Sequence, residues 1–396
     1  MRRKTIREWI RTGLLGLLIS GGLCGSAEAT VSEPVPSGVQ PEDVWLRKLI
    51  FDDLHLKFGG WVAQSYTFNF DSPSDRMNAG RVFDDRSNDY RFNQLLVYLE
   101  RPLSSDPTEF DIGGRIELMY GSDARFIHQR NLADNVDDNT VQFDPVQFYA
   151  LLRAPIGNGL TFKVGKYVTP HGAEVINAPQ NALFSHSYMF GFAIPFSHTG
   201  VQVDYPINDN LSAYYGLVKG WDVWSDNNSS LSHMFGLYGS LLDGKLSHAI
   251  NVITGPERMD NSNDYRTLVD LLLTYRWTEQ LSQTVNFDYG IEQDAAPGGG
   301  DAGWWGVANY LTYTHNPQLA STLRAEYFRD DDGTRLGYTA DMYEVTYGLD
   351  IRPKDFTNLR FRPEVRWDHA GGGGRPFDAG NDDDQLTLGM DMIYTF

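Results

Sequence analysis

Residues 109–120 read EFDIGGRIELMY. Phe110, Ile112, Ile116, Leu118 and Tyr120 share one parity, and Glu109, Asp111, Arg115 and Glu117 share the other. Successive side chains of a β-strand point to opposite faces, so the segment predicts a strand with one apolar and one ionic face. Alone it fits a soluble sandwich as well as a membrane barrel, because each covers an apolar face with something other than water. The rest of the chain discriminates.

The alternation recurs throughout. Leu359, Phe361, Val365 and Trp367 oppose Arg360, Arg362, Glu364, Arg366 and Asp368, while Tyr265, Val269, Leu271, Leu273 and Tyr275 oppose Arg266, Asp270, Thr274 and Arg276. Such runs, from 54–70 and 91–101 through 145–153 to 385–396, number about 16. Connections near 102–108, 154–158, 206–210, 242–244, 278–279, 315–318 and 352–356 are tight and mostly carry Pro, Gly, Asn or Asp. Those near 71–90, 121–144, 168–198, 221–232, 255–264, 293–302, 330–338 and 369–384 are longer and mostly acidic. The two kinds alternate strictly. A sandwich has no reason for this, whereas a membrane barrel has short periplasmic turns and long external loops. The final strand places Leu386, Leu388, Met390, Met392, Tyr394 and Phe396 on one face and ends on an aromatic ring, a pattern that resembles the signal read by the barrel assembly machinery. Tyr120, Trp277, Trp367 and Phe396 at strand ends would sit in interfacial girdles.

Composition narrows the classes. Aromatic content of 13% gives ample surface to bury and argues against disorder, and a single cysteine excludes a disulfide scaffold. Beyond the N-terminus no apolar run approaches the roughly 18 residues of a helical span. Arg2, Arg3, Lys4, Arg7 and Arg11 precede the apolar stretch 14–23 and the small-residue site Ala27-Glu28-Ala29, so residues 1–29 read as a cleaved signal peptide and the destination as the outer membrane of a Gram-negative cell. Cleavage removes five cations and two acids, taking the net charge from −19 to −22. A chain so acidic offers no electrostatic footprint for nucleic acid. Residues 30–53, with Pro34, Pro36 and Pro41, read as a periplasmic leader, and 54–396 as the barrel.

One connection is unlike the rest. Thr169 to Ser197 is rich in Pro, Gly, Ser and Phe, with Met189, Phe190, Phe192, Ile194 and Phe196 close together. Its apolar content favours folding inward to narrow the bore. Around it lie Gly165-Lys166-Tyr167, then Pro170, Gly172, Glu174, Pro179, Asn181, Ser185, Ser187 and Tyr188, then Pro195 to Gly200, Tyr205-Pro206, Gly216 to Asp222 and Asn227-Asn228. On these residues the sequence resembles the OmpL-like family of β-barrel porins, strongly over 165–228 and weakly over the mature chain. The resemblance implies an outer-membrane pore without assigning its solute.

In a pore the chemistry is selectivity, set by width and by charge facing the water. Inward-parity cations include Arg115, Lys163, Arg324, Arg360, Arg362 and Arg366, and acids such as Glu117, Glu326, Glu344 and Glu364 share that face in comparable number. Mutual ion pairs account for most of them. The narrower expectation is that His171 and Glu174, on the infolded loop, face Arg324, Arg360 and Arg362 and set up a transverse field.

Two other classes stand beside the porin. Ser185-His186-Ser187 and Ser197-His198 invite a barrel hydrolase of lipase or protease type, since an imidazole can take a serine proton. Neighbours on a chain rarely face one another, and loop hydroxyls ordinarily satisfy backbone groups. A closed structural or adhesive barrel is the third class, but about 16 strands leave an aqueous channel whereas eight are filled by side chains. Asp330-Asp331-Asp332 and Asp382-Asp383-Asp384 lack the full calcium-loop spacing. The reading is therefore an all-β, up-and-down transmembrane barrel with an infolded constriction loop. It passes small hydrophilic solutes, catalyses nothing, and needs neither cofactor nor metal. Its partners are outer-membrane lipid, lipopolysaccharide and the assembly machinery, with self-association into a homo-oligomer left open.

Overall fold

The computed structural model describes residues 55–134 and 140–396. The signal peptide and the leader lie outside the described residues. Sixteen antiparallel strands form one closed barrel: β1 (Lys57–Asn69), β2 (Asp89–Arg101), β3 (Asp111–Gly121), β4 (Gln142–Ala154), β5 (Leu160–Val168), β6 (Ser197–Asn208), β7 (Leu211–Val218), β8 (Ser232–Leu241), β9 (Leu246–Pro256), β10 (Tyr265–Arg276), β11 (Leu281–Glu292), β12 (Ala302–Asn316), β13 (Leu319–Asp330), β14 (Ala340–Ile351), β15 (Leu359–Ala370) and β16 (Asp384–Thr395). Each pairs with its sequence neighbours, and β1 pairs with β16, so no strand edge is left open. Among the described residues no helix is long and apolar enough to cross a membrane, which leaves the strands to do so.

Closure ends at the last residue. Phe396 and Gly60 exchange backbone hydrogen bonds, each 2.9 Å. A side chain at Gly60 would lie 2.3 Å from the Leu96 carbonyl and 2.7 Å from the Phe396 ring, so only glycine admits the terminal aromatic ring at this seam.

The faces separate as the parity predicts. Phe110, Ile112, Ile116 and Tyr120 are about half exposed on the outer wall, whereas Glu117 on the opposite parity is fully buried. An apolar belt this continuous would be costly in water and matches hydrocarbon. Several boundaries differ from expectation by up to three residues, among them the strand placed at 54–70, which spans Lys57–Asn69, and the strand placed at 145–153, which begins at Gln142. It passes through Pro145, where the pairing with β3 shifts between Glu117 and Met119. Proline lacks a ladder N–H and is tolerated at such an irregularity.

The long connections all leave the same end of the barrel. They are L1 (70–88), L2 (122–141), L3 (169–196), L4 (219–231), L5 (257–264), L6 (293–301), L7 (331–339) and L8 (371–383). L2 carries one short helix, α1 (Ala124–Ile127).

Candidate functional site: the loop inside the bore

L3 leaves β5 and returns to β6 through a neck closed by the Thr169 amide, which donates to the Phe196 carbonyl at 3.0 Å. Between these points it crosses the barrel. Its chain includes a 3-10 turn at Ala178–Gln180 and a π-helical turn at Met189–Ala193. Irregular backbone inside a barrel carries amides and carbonyls that must find partners away from water. Inward side chains of β13 and β15 supply most of them.

Arginines take the carbonyls. Arg324 Nη1 donates to Ser185 O at 2.7 Å, and Arg360 donates to Pro179 O (2.7 Å) and Asn181 O (2.8 Å). Arg362 Nη1 reaches both Asn181 O and Leu183 O at 2.7 Å, and Arg366 Nη1 reaches His186 O at 2.5 Å. Carboxylates take the amides. Glu364 accepts from Phe184 N (2.9 Å) and Ser185 N (3.1 Å), and Glu326 accepts from Tyr188 N and Met189 N, each at 2.7 Å. The planar five-donor fork of arginine suits this work because one side chain can serve two carbonyls and a carboxylate together.

Further ties run to other strands. Gln94 on β2 donates to Ile176 O at 2.8 Å, Asn286 on β11 accepts from Ala173 N at 2.9 Å, and Trp304 on β12 donates to Ala193 O at 3.1 Å. L1 also folds in. Phe83, 2% exposed, packs its ring 4.8 Å from His186 and 5.6 Å from Phe190, and Arg81 pairs with Asp84 and Asp368.

The nine residues singled out from sequence occupy four settings. Glu174 reaches Arg324 at 2.6 Å. His171 does not face the arginines: the Thr169 hydroxyl lies between His171 Nδ1 (2.9 Å) and His198 Nε2 (3.1 Å). The correction has a simple cause, since His171 sits in the neck two residues past Thr169, too early in the loop to reach the far wall. Arg360 and Arg362 do not meet Glu174 either. They are occupied by loop carbonyls and by Asp350 (2.7 Å) and Asp391 (2.5 Å). Arg366 lies with Asp368 at 2.8 Å. On β3, a quarter of the way round the barrel from β15, Arg115 pairs with Glu117 (2.6 Å) and Glu100 (3.2 Å). Lys163 rests near the rings of Tyr149 (5.4 Å) and Tyr167 (5.2 Å), with no ion-pair partner among the described residues.

Burial and charge set the protonation of the loop. Burial, the largest single influence, raises the Glu174 carboxyl, but the Arg324 charge, the His186 charge and the hydrogen bonds from Ser187 N and Arg324 together outweigh it and hold the group below its ordinary range. Burial pushes the His171 imidazole well below its ordinary value, with His198 adding to the effect. Burial likewise takes His186 down to about 4, against the pull of Glu174.

Neither serine-histidine pair is arranged for nucleophilic attack. His186 Nε2 lies 3.3 Å from both the Asn181 amide and the Val175 carbonyl, and His198 contacts Gly220 O and Thr169. The Asp330 carboxylate accepts the amides of Thr334, Arg335 and Leu336. Among the described residues, His369, Asp383 and Asp384 bring potential ligand atoms within 4.8 Å of one another.

Two cavities lie at opposite ends of the bore. One, about 370 Å³, opens among the long loops beside Arg130, Trp221, Asp222 and Arg335. The other, about 490 Å³, lies toward the short turns beside Asn181, Thr312, Arg352 and Arg360.

Residues 55–396 match the beta-barrel porin-2, OmpL-like, family. The chain belongs to this family. As an OmpL-like porin it is an outer-membrane channel for passive diffusion. Among solved structures, this porin is similar to the outer membrane channel DcaP of Acinetobacter baumannii, with 12% identity, a TM-score of 0.57, and 86% of this chain and 97% of that one covered. The trimer form of OmpT from Vibrio cholerae is also 12% identical, with a TM-score of 0.58 and coverage of 86% and 99%. An anion-selective porin from Comamonas acidovorans is 10% identical, with a TM-score of 0.58 and the same coverage. Likeness at this identity speaks to the fold alone. No curated protein matches the sequence.

The residues that sequence reasoning missed are Glu326 and Glu364 as acceptors for L3 amides, Gln94, and the inward part of L1. Glu326 and Glu364 had the right parity, but their partners are backbone groups, which no side-chain pattern reveals.

Proposed function

We propose that small hydrophilic solutes diffuse along the β3 to β8 side of the bore, past Lys163 and past Arg115, whose partner Glu117 is buried behind it, because L3 occupies the β13 to β16 side. The observation that carries this reading is the set of L3 carbonyls bound by Arg324, Arg360, Arg362 and Arg366. A loop held at so many points is a fixed constriction, so width is set by anchoring and charge by the residues on the opposite wall. His171 and Glu174 act here as parts of the loop's anchorage. The channel performs no covalent chemistry. Residues 1–29 serve as a cleaved signal and 30–53 as a periplasmic leader; the outer face meets lipid and lipopolysaccharide after delivery by the assembly machinery. Association into a homo-oligomer is part of the reading, supported by the trimer form of the Vibrio protein.

Thiol labelling tests the route. The sequence has one cysteine, Cys24, within the proposed signal, so single cysteines report cleanly. In planar bilayers, Lys163→Cys should lose conductance on addition of a charged methanethiosulfonate, and Arg362→Cys should not. Unresponsive current at Lys163→Cys would place the path elsewhere. Swelling of liposomes in sugars of graded size gives the cutoff, and a complete lack of swelling would return the chain to the closed-barrel class.

A further inference from the structure

The cavity among the long loops has more cationic side chains than its own ion pairs use. Arg130, Arg266 and Arg335 line it with Trp221, His128, Asp134 and Asp222. Both carboxylates already accept backbone amides: Asp222 from Ser197 (2.8 Å) and Phe196 (3.0 Å), and Asp134 from Asn131 (2.6 Å). Arg266 is neutralised by Glu292 at 2.8 Å. The backbone of Arg130 pairs with Asp222 and Trp224, but its guanidinium and the two Nη groups of Arg335 have no hydrogen-bond or ion-pair partner among the described residues.

Arg335 is also held in place before any ligand arrives. The Asp330 carboxylate fixes its backbone at 2.8 Å, and its Nε donates to Phe192 O at 2.6 Å. Its guanidinium lies 5.2 Å from the Trp221 ring and 5.1 Å from the Trp304 ring. Arg266 lies 4.8 Å from the same Trp221 ring. Cation-π contacts of this kind orient the guanidinium plane without neutralising its charge. Trp221 is 6% exposed, and its indole N–H has no acceptor among the described residues. Burial and the Arg266 charge take Arg335 down to about 10, which leaves it charged at neutral pH and short of counter-charge.

We propose that this cavity is an outer-mouth binding site for the carboxylate or phosphate oxyanion of a small solute, with Arg335 and Arg130 as its ligands and Trp221 as its wall. A planar oxyanion matches the paired donors of a guanidinium in bidentate fashion. Rigid placement lowers the ordering cost of binding. At roughly 30 Å³ per water, the cavity holds about a dozen waters, enough room for a sugar acid or a dicarboxylate. The site rests on the porin reading, and it would collect anions at the mouth of a channel whose chain is otherwise strongly acidic.

The test uses the full refolded porin in planar bilayers, with glucuronate, inorganic phosphate and the uncharged glucose as probes. Glucuronate or phosphate, added on the long-loop side, should interrupt the current saturably, and glucose should not. Arg335→Gln and Arg130→Gln should each raise the half-saturating concentration about tenfold, the loss expected for one charged hydrogen-bonded contact. Open-channel conductance of these variants in potassium chloride serves as the folding control. Saturation of equal strength in Arg335→Gln, or no saturable effect of either anion, overturns the site. A protein that conducts yet ignores both anions sinks the site alone, whereas one with no conductance sinks the porin reading.

Discussion

Glu174 Oε1 accepts a hydrogen bond from Arg324 Nη1 at 2.6 Å, across 150 positions of sequence. Arg324 is fully buried and also pairs with Glu344 at 2.8 Å, while Tyr310 donates its hydroxyl to the same Glu174 oxygen at 3.1 Å. The loop is therefore fastened to the wall by a desolvated charge pair with added hydrogen bonds, the arrangement in which removing one partner is most damaging. Glu174→Gln is expected to destabilise the seated loop by about 3 kcal/mol. Single-channel records should show added current fluctuation, with an altered reversal potential in a salt gradient. Quiet records with unchanged selectivity would show that the pair does not fasten the loop.

Acid should loosen the same loop through His186. This imidazole, buried against Phe83 and Phe190, is held neutral to about 4 by burial, with Arg324 and Arg362 opposing its charge and Glu174 favouring it. An exposed loop would titrate near 6.5. Between those values the detached loop binds a proton that the seated loop does not, so the contribution is intact above pH 6.5 and is lost as the pH falls toward 4. The span is worth on the order of 3 kcal/mol. Burial moves Asp222 up to about 6 and Asp123 up to about 7. Those groups run in the opposite sense, favouring the folded state as pH falls, so a global melting curve would mix the two. Limited proteolysis within L3 is the local readout. Cleavage should rise between pH 6.5 and 4 in the parent and stay flat with pH in His186→Gln.

The fold was legible because its cause is local. Parity in runs such as 109–120 and 357–368 needs only the period of a strand, and alternating connection lengths need only that both faces of the membrane differ. The site was legible in part. Arg324, Arg362 and Glu174 stood out as ionic residues facing the bore or the loop. Which of them would meet depended on where twenty-odd residues of irregular backbone place their carbonyls, and that is a tertiary matter. Arg362 was expected opposite a carboxylate of the loop and instead serves Asn181 O and Leu183 O. Arg335 carried no signal at all, because its neighbours Trp221 and Trp304 come from L4 and β12.

Arg362 and Asp391 offer a separable test of how the wall holds the loop. Asp391 is 2% exposed and its cationic partner is Arg362, at 2.5 Å. Arg362→Leu leaves that carboxylate buried and uncompensated, with an expected cost of about 3–5 kcal/mol. Adding Asp391→Leu should recover part of the loss. Recovery stays incomplete because Leu183 O loses its arginine donor, at roughly 1–3 kcal/mol for a buried group left unpaired, while Asn181 O keeps Arg360 at 2.8 Å. Urea unfolding in liposomes, analysed as a double-mutant cycle, measures the coupling. Strict additivity of the two changes would mean that the pair contributes nothing beyond its separate members.

Gly290 and Trp304 bring the wall, the loop and the outer cavity together. A Cβ at Gly290 would lie 2.0 to 2.4 Å from indole atoms of Trp304, including the Nε1 that donates to Ala193 O at 3.1 Å. Trp304 is fully buried and its ring sits edge-on to Trp221, centroids 6.2 Å apart. The indole cannot withdraw without giving up the L3 carbonyl or the Arg335 stack. Gly290→Ala is therefore expected to destabilise the barrel by about 1–3 kcal/mol, the usual cost of overpacking. It should also change the near-ultraviolet circular dichroism of the tryptophans and weaken anion saturation at the outer mouth. Pairing it with Trp304→Leu removes the clash but leaves Ala193 O without its indole donor and a smaller side chain in a fully buried place, so stability should recover only in part while anion saturation stays weak. If Gly290→Ala leaves both the dichroism and the anion response of the parent unchanged, Trp304 does not couple the strand to the cavity.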